Sequence, residues 1–121
     1  MDPASAEAHD TLGSVLRRRG RRDEAIAQYR EAVRLAPDAA EYYNNLGGSL
    51  GEADRLAEAA AAFAESLRRN PRAPLVHANL AATLAAMGRR EDAAAEFREA
   101  LKLQPDFPAA RAGLEELTIR N

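Results

Sequence analysis

The sequence predicts an all-α fold of three helix-turn-helix repeats closed by one further helix, and three observations carry that expectation. Residue types recur every 34 positions: Pro37, Pro71 and Pro105; Leu12, Leu46, Leu80 and Leu114; Ala25, Ala59 and Ala93; and the ring series Tyr29, Phe63 and Phe97. A fixed period of this length marks stacked supersecondary units, each too small to bury its apolar face alone. Within a unit the apolar spacing is helical. Ala25, Ile26, Tyr29, Ala32 and Val33 form one stripe, and Ala93, Ala94, Phe97, Ala100 and Leu101 repeat it. The breaks keep the same register. Gly20 and Gly88 suit the left-handed conformation that ends a helix, and each proline pushes its predecessor out of helical geometry.

Taken in order, these signals place helices over 6–19, 23–36, 40–52, 56–69, 74–87, 90–103 and 107–119. Asp38, three residues before Glu41, reads as a capping-box start for the third helix. The repeats then run 6–39, 40–73 and 74–107. Pro3 is in phase with Pro37, so residues 1–5 read as the remnant of an earlier repeat or a linker, and the N-terminus as a cut. Residues 108–121 read as a solvating helix. The apolar face Ala8, Leu12, Val15 of the first helix continues there as Ala110, Leu114, Leu117, but the face His9, Gly13, Leu16 becomes Arg111, Glu115, Thr118. A polar face at that place leaves no seat for a following partner helix.

Composition narrows the chemistry. There is no cysteine, which removes disulfides, thiol catalysis and cysteine-ligated zinc. Hydrophobic residues make up 46% of the chain and aromatics only 5%, so the apolar content is mostly Ala and Leu and favours helix. Seventeen Lys and Arg against nineteen Asp and Glu leave a formal charge of -2, without the basic excess that phosphate backbones require, so nucleic acid is not an expected partner. No run approaches the roughly 18 apolar residues of a membrane span, and a soluble, cytoplasmic setting without membrane contact is expected.

Candidate chemistry resolves into packing or solvation. His9 and His77 lie two periods apart, which in a helical stack separates them by roughly 20 Å, too far to share a metal, so both are read as packing residues. The basic run Arg17, Arg18, Arg19, Arg21 and Arg22 straddles Gly20, where cations favour a helix C-terminus, and no aromatic is interleaved for base stacking. Ser14, Ser49 and Ser66 have no histidine placed to activate them, and the acidic pairs Glu91-Asp92 and Glu115-Glu116 sit at turn or cap positions. No catalytic constellation, metal site or cofactor is expected, and the chain does not read as an enzyme.

The motif His9-x2-Leu12-Gly13-x2-Leu16, then Ala25-x3-Tyr29, then Pro37, recurs as Tyr43, Leu46, Gly47, Leu50, Ala59, Phe63, Pro71 and as His77, Leu80, Ala81, Leu84, Ala93, Phe97, Pro105. It resembles the tetratricopeptide repeat over nearly the whole chain. The resemblance implies a right-handed superhelical solenoid whose first helices line a concave groove, and a scaffold that binds a protein or peptide, extended or helical, of unspecified identity. By that register the groove positions are Glu7, Asp10, Thr11, Ser14, Asn44, Asn45, Gly48, Gly51, Leu75, Ala78, Asn79 and Ala82.

Asn45 and Asn79 are 34 apart, and a side-chain amide joins a donor and an acceptor suited to a peptide backbone. The pair is similar to the asparagine ladder in the repeat arm of O-linked N-acetylglucosamine transferases, with Thr11 and Gly113 at the neighbouring rungs. Gly48 and Gly51, continued by Ala78, Ala82, Ala85 and Ala86, suggest a floor open to close approach. The carboxylate clamp of chaperone-binding members would map onto Asp10, Ser14, Asn45, Leu75 and Asn79. Only one of those types fits, so a C-terminal carboxylate is not the expected ligand. Two alternatives stand beside the scaffold: a docking arm of a larger protein such as a glycosyltransferase, and a self-assembly module. Ala8, Leu12 and Val15, lacking a preceding repeat, would then support a weak homodimer between N-terminal ends.

Overall fold

The computed structural model describes residues 5–119 and places seven α-helices and no strand among them. They are α1 (Ala6–Arg18), α2 (Arg22–Leu35), α3 (Ala40–Glu52), α4 (Leu56–Arg69), α5 (Pro74–Ala86), α6 (Arg90–Leu103) and α7 (Pro108–Ile119). Every boundary falls within one residue of the sequence expectation. The expected remnant at residues 1–5 and the end of the closing helix at 120–121 lie, apart from Ser5, outside the described residues.

The turns inside the hairpins α1–α2, α3–α4 and α5–α6 are one motif used three times. Arg21, Arg55 and Arg89 each donate their backbone N–H to a carbonyl five residues back, on Leu16, Leu50 and Leu84, at 2.9 Å. This bond needs a left-handed residue just before the donor. Gly20 and Gly88 supply it with φ of 75° and 81°, and in the middle hairpin Asp54 does so at φ 61°. Aspartate is among the few side chains that visit this region readily, which is why the turn survives without glycine.

Capping departs from expectation. The residue that caps α3 is Ala39, which makes no side-chain cap bond, so the Asp38–Glu41 box does not form. The helix opens one residue later than the box requires and leaves Asp38 outside it. The side-chain cap that does form is on α1, where Ser5 Oγ accepts the Ala8 N–H at 3.3 Å.

Each hairpin closes on a ring. Tyr29 is 1% exposed, and Phe63 and Phe97 are buried in the same place. Gly13 and Gly47 let the two helices of a hairpin approach closely, because a Cβ on either would stand within 2.9 Å of the ring of Tyr29 or Phe63. Position 81 holds Ala instead, buried in one cluster with Phe97, Ala78, Ala100 and Ala110. The main core runs through Leu16, Ile26, Tyr29, Leu46, Leu50, Phe63, Leu80 and Leu84, so neighbouring hairpins share it.

The histidines pack as the sequence suggested, through bonds it did not reveal. His9 Nδ1 meets Gln28 Oε1 at 2.6 Å, while His77 meets Glu96 Oε1 at 2.7 Å through Nδ1 and the Pro71 carbonyl at 2.9 Å through Nε2. Both partners lie 19 residues on. At the equivalent middle place the pair is Tyr43 with the short Ala62, and the Arg69 guanidinium lies 4.4 Å from the Tyr43 ring centre. Arg69 also donates to the Pro37 carbonyl at 2.7 Å, and Ser66 Oγ donates to the Ala40 carbonyl at 2.8 Å, tying α4 to the first residue of α3 and to the turn before it.

On α7, Ala110 is buried and Leu114 and Leu117 are partly buried against the core, whereas Arg111, Glu115 and Thr118 are exposed. At the other end Leu12 is 45% exposed and Val15 is half-buried, but Ala8 is buried, so the apolar patch there is narrower than expected. A helical side chain leans toward the N-terminus, which carries Leu12 over the small Ala8 methyl one turn earlier.

Candidate ligand-binding face

The 34-residue period stacks equivalent side chains of α1, α3, α5 and α7 into columns. One column reads Glu7, Glu41, Leu75, Ala109; the next Asp10, Asn44, Ala78, Ala112; a third Thr11, Asn45, Asn79, Gly113; a fourth Ser14, Gly48, Ala82, Glu116. Within each helix these positions follow a helical stripe, so they share one face.

Polar contacts link neighbouring helices across this face with a constant step of 35 residues. Asn45 Nδ2 donates to Asp10 Oδ1 at 2.8 Å, and Asn79 Nδ2 donates to Asn44 Oδ1 at 3.1 Å. Arg17 donates from Nε and Nη2 to the two carboxylate oxygens of Glu52, at 2.7 and 2.9 Å. The bond to Glu52 holds the Arg17 guanidinium above the usual arginine range, against partial burial. The Arg17 side chain crosses Gly48, where an added Cβ would stand 2.9 Å from Nη2. Gly48 thus makes room for this ion pair, not for an empty floor. Gly51 has open space, with the Ala59 methyl 4.0 Å from an added Cβ.

The step that would follow pairs Ala78 with Gly113, and no polar contact is possible between them. There a cleft of about 690 Å³ opens between α5 and α7, lined mostly by apolar and small residues, among them Leu75, Ala78, Ala82, Phe97 and Gly113, with Asn79, Arg90 and Glu116 as its polar members. Helix α5 contains no Asp, Glu, Lys or Arg, and Leu75 on its first turn is 57% exposed. Gly113 rests on the Phe97 ring and its missing Cβ is what allows that contact.

Of the sequence-nominated positions, Leu75, Ala78, Asn79 and Ala82 line this cleft, while Ser14 and Asn45 border a smaller, more polar hollow beside Arg17 and Glu52. Glu7 and Thr11 are exposed, and Asp10, Asn44, Gly48 and Gly51 are half-buried. Tyr42, not nominated, belongs with the acidic end of the face. Its half-buried setting, then the carboxylates of Glu41, Asp10 and Glu7, hold its phenol above the ordinary tyrosine value. The cross-helix links were missed in the sequence, where the 35-residue spacing of Asp10 with Asn45 and of Arg17 with Glu52 was the one signal that could have found them. Among the described residues no group of three or more His, Asp or Glu is placed to hold a metal ion, and no helix is long and apolar enough to cross a membrane.

Comparison with known proteins agrees with this architecture. The Arabidopsis OM64 TPR domain superposes with a TM-score of 0.92 at 21% identity, covering 97% of each chain. The first TPR of Spaghetti (RPAP3), solved bound to the HSP90 peptide SRMEEVD, gives 0.93 at 19% identity over 99% of this chain and 95% of that one. YrrB, described as a TPR protein with an unusual peptide-binding site, gives 0.88 at 25% identity over 95% of this chain and 58% of its own. No curated protein sequence matches the chain. Sequence profiles described as tetratricopeptide repeat match residues 11–74 and 74–107, the first alone spanning more than half of the chain. The chain belongs to the tetratricopeptide repeat family, whose repeats are generally non-catalytic interaction modules.

Proposed function

We propose that the face of α1, α3, α5 and α7 is a concave peptide-binding groove, and that the chain is a non-catalytic scaffold for a protein or peptide partner. In this reading the seven helices form a right-handed superhelix of three repeats, 6–39, 40–73 and 74–107, with a solvating helix from 108. The observation that carries the proposal is the cleft between α5 and α7: an uncharged helix turns Leu75 and Ala82 outward, beside the half-buried Ala85, where a solvent face would carry charge. Of the structural neighbours, the first TPR of Spaghetti holds an HSP90 peptide and YrrB has a peptide-binding site, which supports the same use here. The peptide SRMEEVD is not the ligand we propose, because its acidic residues would meet Glu7, Asp10 and Glu41. With a charge of -2 and, among the described residues, no histidine bonded to a serine or threonine hydroxyl, neither nucleic acid nor turnover belongs to the reading. A cytoplasmic location is part of the proposal and cell fractionation tests it.

The asparagines alone make a poor test, since Asn45 and Asn79 already bond across helices and their loss would cost stability as well as binding. Exposed Ala82 is better. Peptides selected from a random displayed library should bind the Ala82→Arg variant at least about ten-fold more weakly, because the arginine fills the cleft with charge. Ala61→Arg, on the exposed opposite face of α4, should leave them unaffected. The reverse pattern would move the binding site to the other face and end the proposal.

A further inference from the structure

Building on the groove reading, we infer that its ligand is a segment with basic residues at one end and bulky apolar residues about six to eight positions along it. Two columns change character at the same place. Glu7 and Glu41 give way to Leu75 and Ala109, and Asp10 and Asn44 give way to Ala78 and Ala112. The polar 35-residue links run one step further, to Asn79 with Asn44, and stop between α5 and α7, where the apolar cleft opens.

Among the described residues the acidic end is without a paired cation. No ion pair among the described residues involves Glu7, Asp10 or Glu41, and the Asp10 carboxylate is engaged by the neutral amide of Asn45. The other carboxylates of the chain that form ion pairs do so with Arg, Lys or His at the turns, on the outer helices or, for Glu52, at the far end of this face. Arg17 is committed to Glu52, and Arg18 lies eleven residues beyond Glu7 on the same helix, roughly 16 Å away. A carboxylate cluster on the same face as an apolar cleft selects a partner of opposite charge and like polarity at the two places.

Spacing sets the register. Packed helices lie about 8–10 Å apart, so Glu7, at the far end of the acidic stretch, is separated from the α5–α7 cleft by roughly 20–25 Å. An extended chain covers that distance in about six to eight residues at about 3.3 Å each. The cleft volume is within the range of about 300–1,000 Å³ that admits more than a single small group.

The probe is a labelled peptide of about twelve residues with two arginines near one end and Leu-Phe about seven positions away, made in both chain directions. Its controls replace the arginines by glutamates, or Leu-Phe by Ala-Ala. Fluorescence anisotropy is read with amide chemical-shift mapping on the intact chain. The better direction should bind, losing about ten- to a hundred-fold in affinity with Ala-Ala, from one or two buried side chains, and several-fold with glutamates. Glu7→Lys together with Glu41→Lys should reverse the charge preference, and Ala82→Glu should remove the Leu-Phe preference. Both changes are at exposed positions, so the fold is kept, and circular dichroism verifies it. Binding on the groove helices without charge preference, or with glutamates preferred, overturns this inference and leaves the groove standing. No binding by either direction also overturns it, and shifts on α2, α4 and α6 would overturn the groove reading with it.

Discussion

Replacing the three glycines of α3 by alanine, one at a time, separates local helix propensity from ring packing within a single helix. An interior glycine costs a helix about 0.5–1 kcal/mol relative to alanine. At Gly51 an added methyl has only the Ala59 Cβ near it, at 4.0 Å, so Gly51→Ala should gain that amount. At Gly47 the methyl would stand 2.7 Å from Phe63 Cδ1 and Cε1, roughly 1 Å inside ordinary carbon contact. The ring must then retreat into a packed core, which costs about 1–3 kcal/mol. Ala81 faces Phe97 at the equivalent place, so the fold can seat a methyl there and the cost should lie at the low end. The two variants should therefore differ by about 1–2 kcal/mol, or roughly 3–8 °C in melting temperature. Gly48→Ala should be near neutral, because the helix gain is offset when Arg17 is pushed off Glu52. Urea and thermal unfolding followed by circular dichroism decide it. A Gly47→Ala variant as stabilised as Gly51→Ala would refute the argument that glycine is required beneath the ring.

Three further outcomes are expected. His77→Tyr or Glu96→Ala alone should each cost about 1–2 kcal/mol in urea unfolding, while the double variant, which copies Tyr43 with Ala62, should recover at least about 1 kcal/mol through coupling; additive losses would contradict the pairing of positions 19 apart. The Glu58 carboxyl is held below the usual range first by the bond to Arg55, then by Arg30, and Glu65 likewise by Arg68 and Arg69. Their contribution is then present above the ordinary carboxylate value and is lost as pH falls through the lower folded one, so the urea midpoint should drop in acid, and drop less in Glu58→Gln. Sedimentation at high concentration should show a weak reversible dimer that Leu12→Glu abolishes; a dimer indifferent to that change would rule out pairing through the open end.

The helix count and boundaries were legible because each signal repeats three or four times: a leucine, a small residue, an alanine, a ring and a proline, all in one register. Hairpin turns were legible where glycine marked them, but Asp54 takes the same left-handed place without that mark. Capping was misread at Asp38, since a capping pattern one residue out of phase looks the same in sequence. The candidate face was legible as a set of positions and not as a set of contacts. Gly48 invited an empty floor, yet the neighbouring helix lays Arg17 across it; Asn45 and Asn79 suggested grips for a peptide, yet each already holds the helix before it. Such links join residues 35 apart, a step set by how adjacent units are offset in space, which the 34-residue period alone does not state.

The most direct test of the groove is amide chemical-shift mapping of the intact chain with its tightest selected peptide. The account predicts that the largest changes fall on α1, α3, α5 and α7, at Thr11, Asn45, Leu75, Asn79, Ala82 and Gly113. Changes concentrated instead at Ala61, Ala95 and their neighbours on α4 and α6 would contradict it.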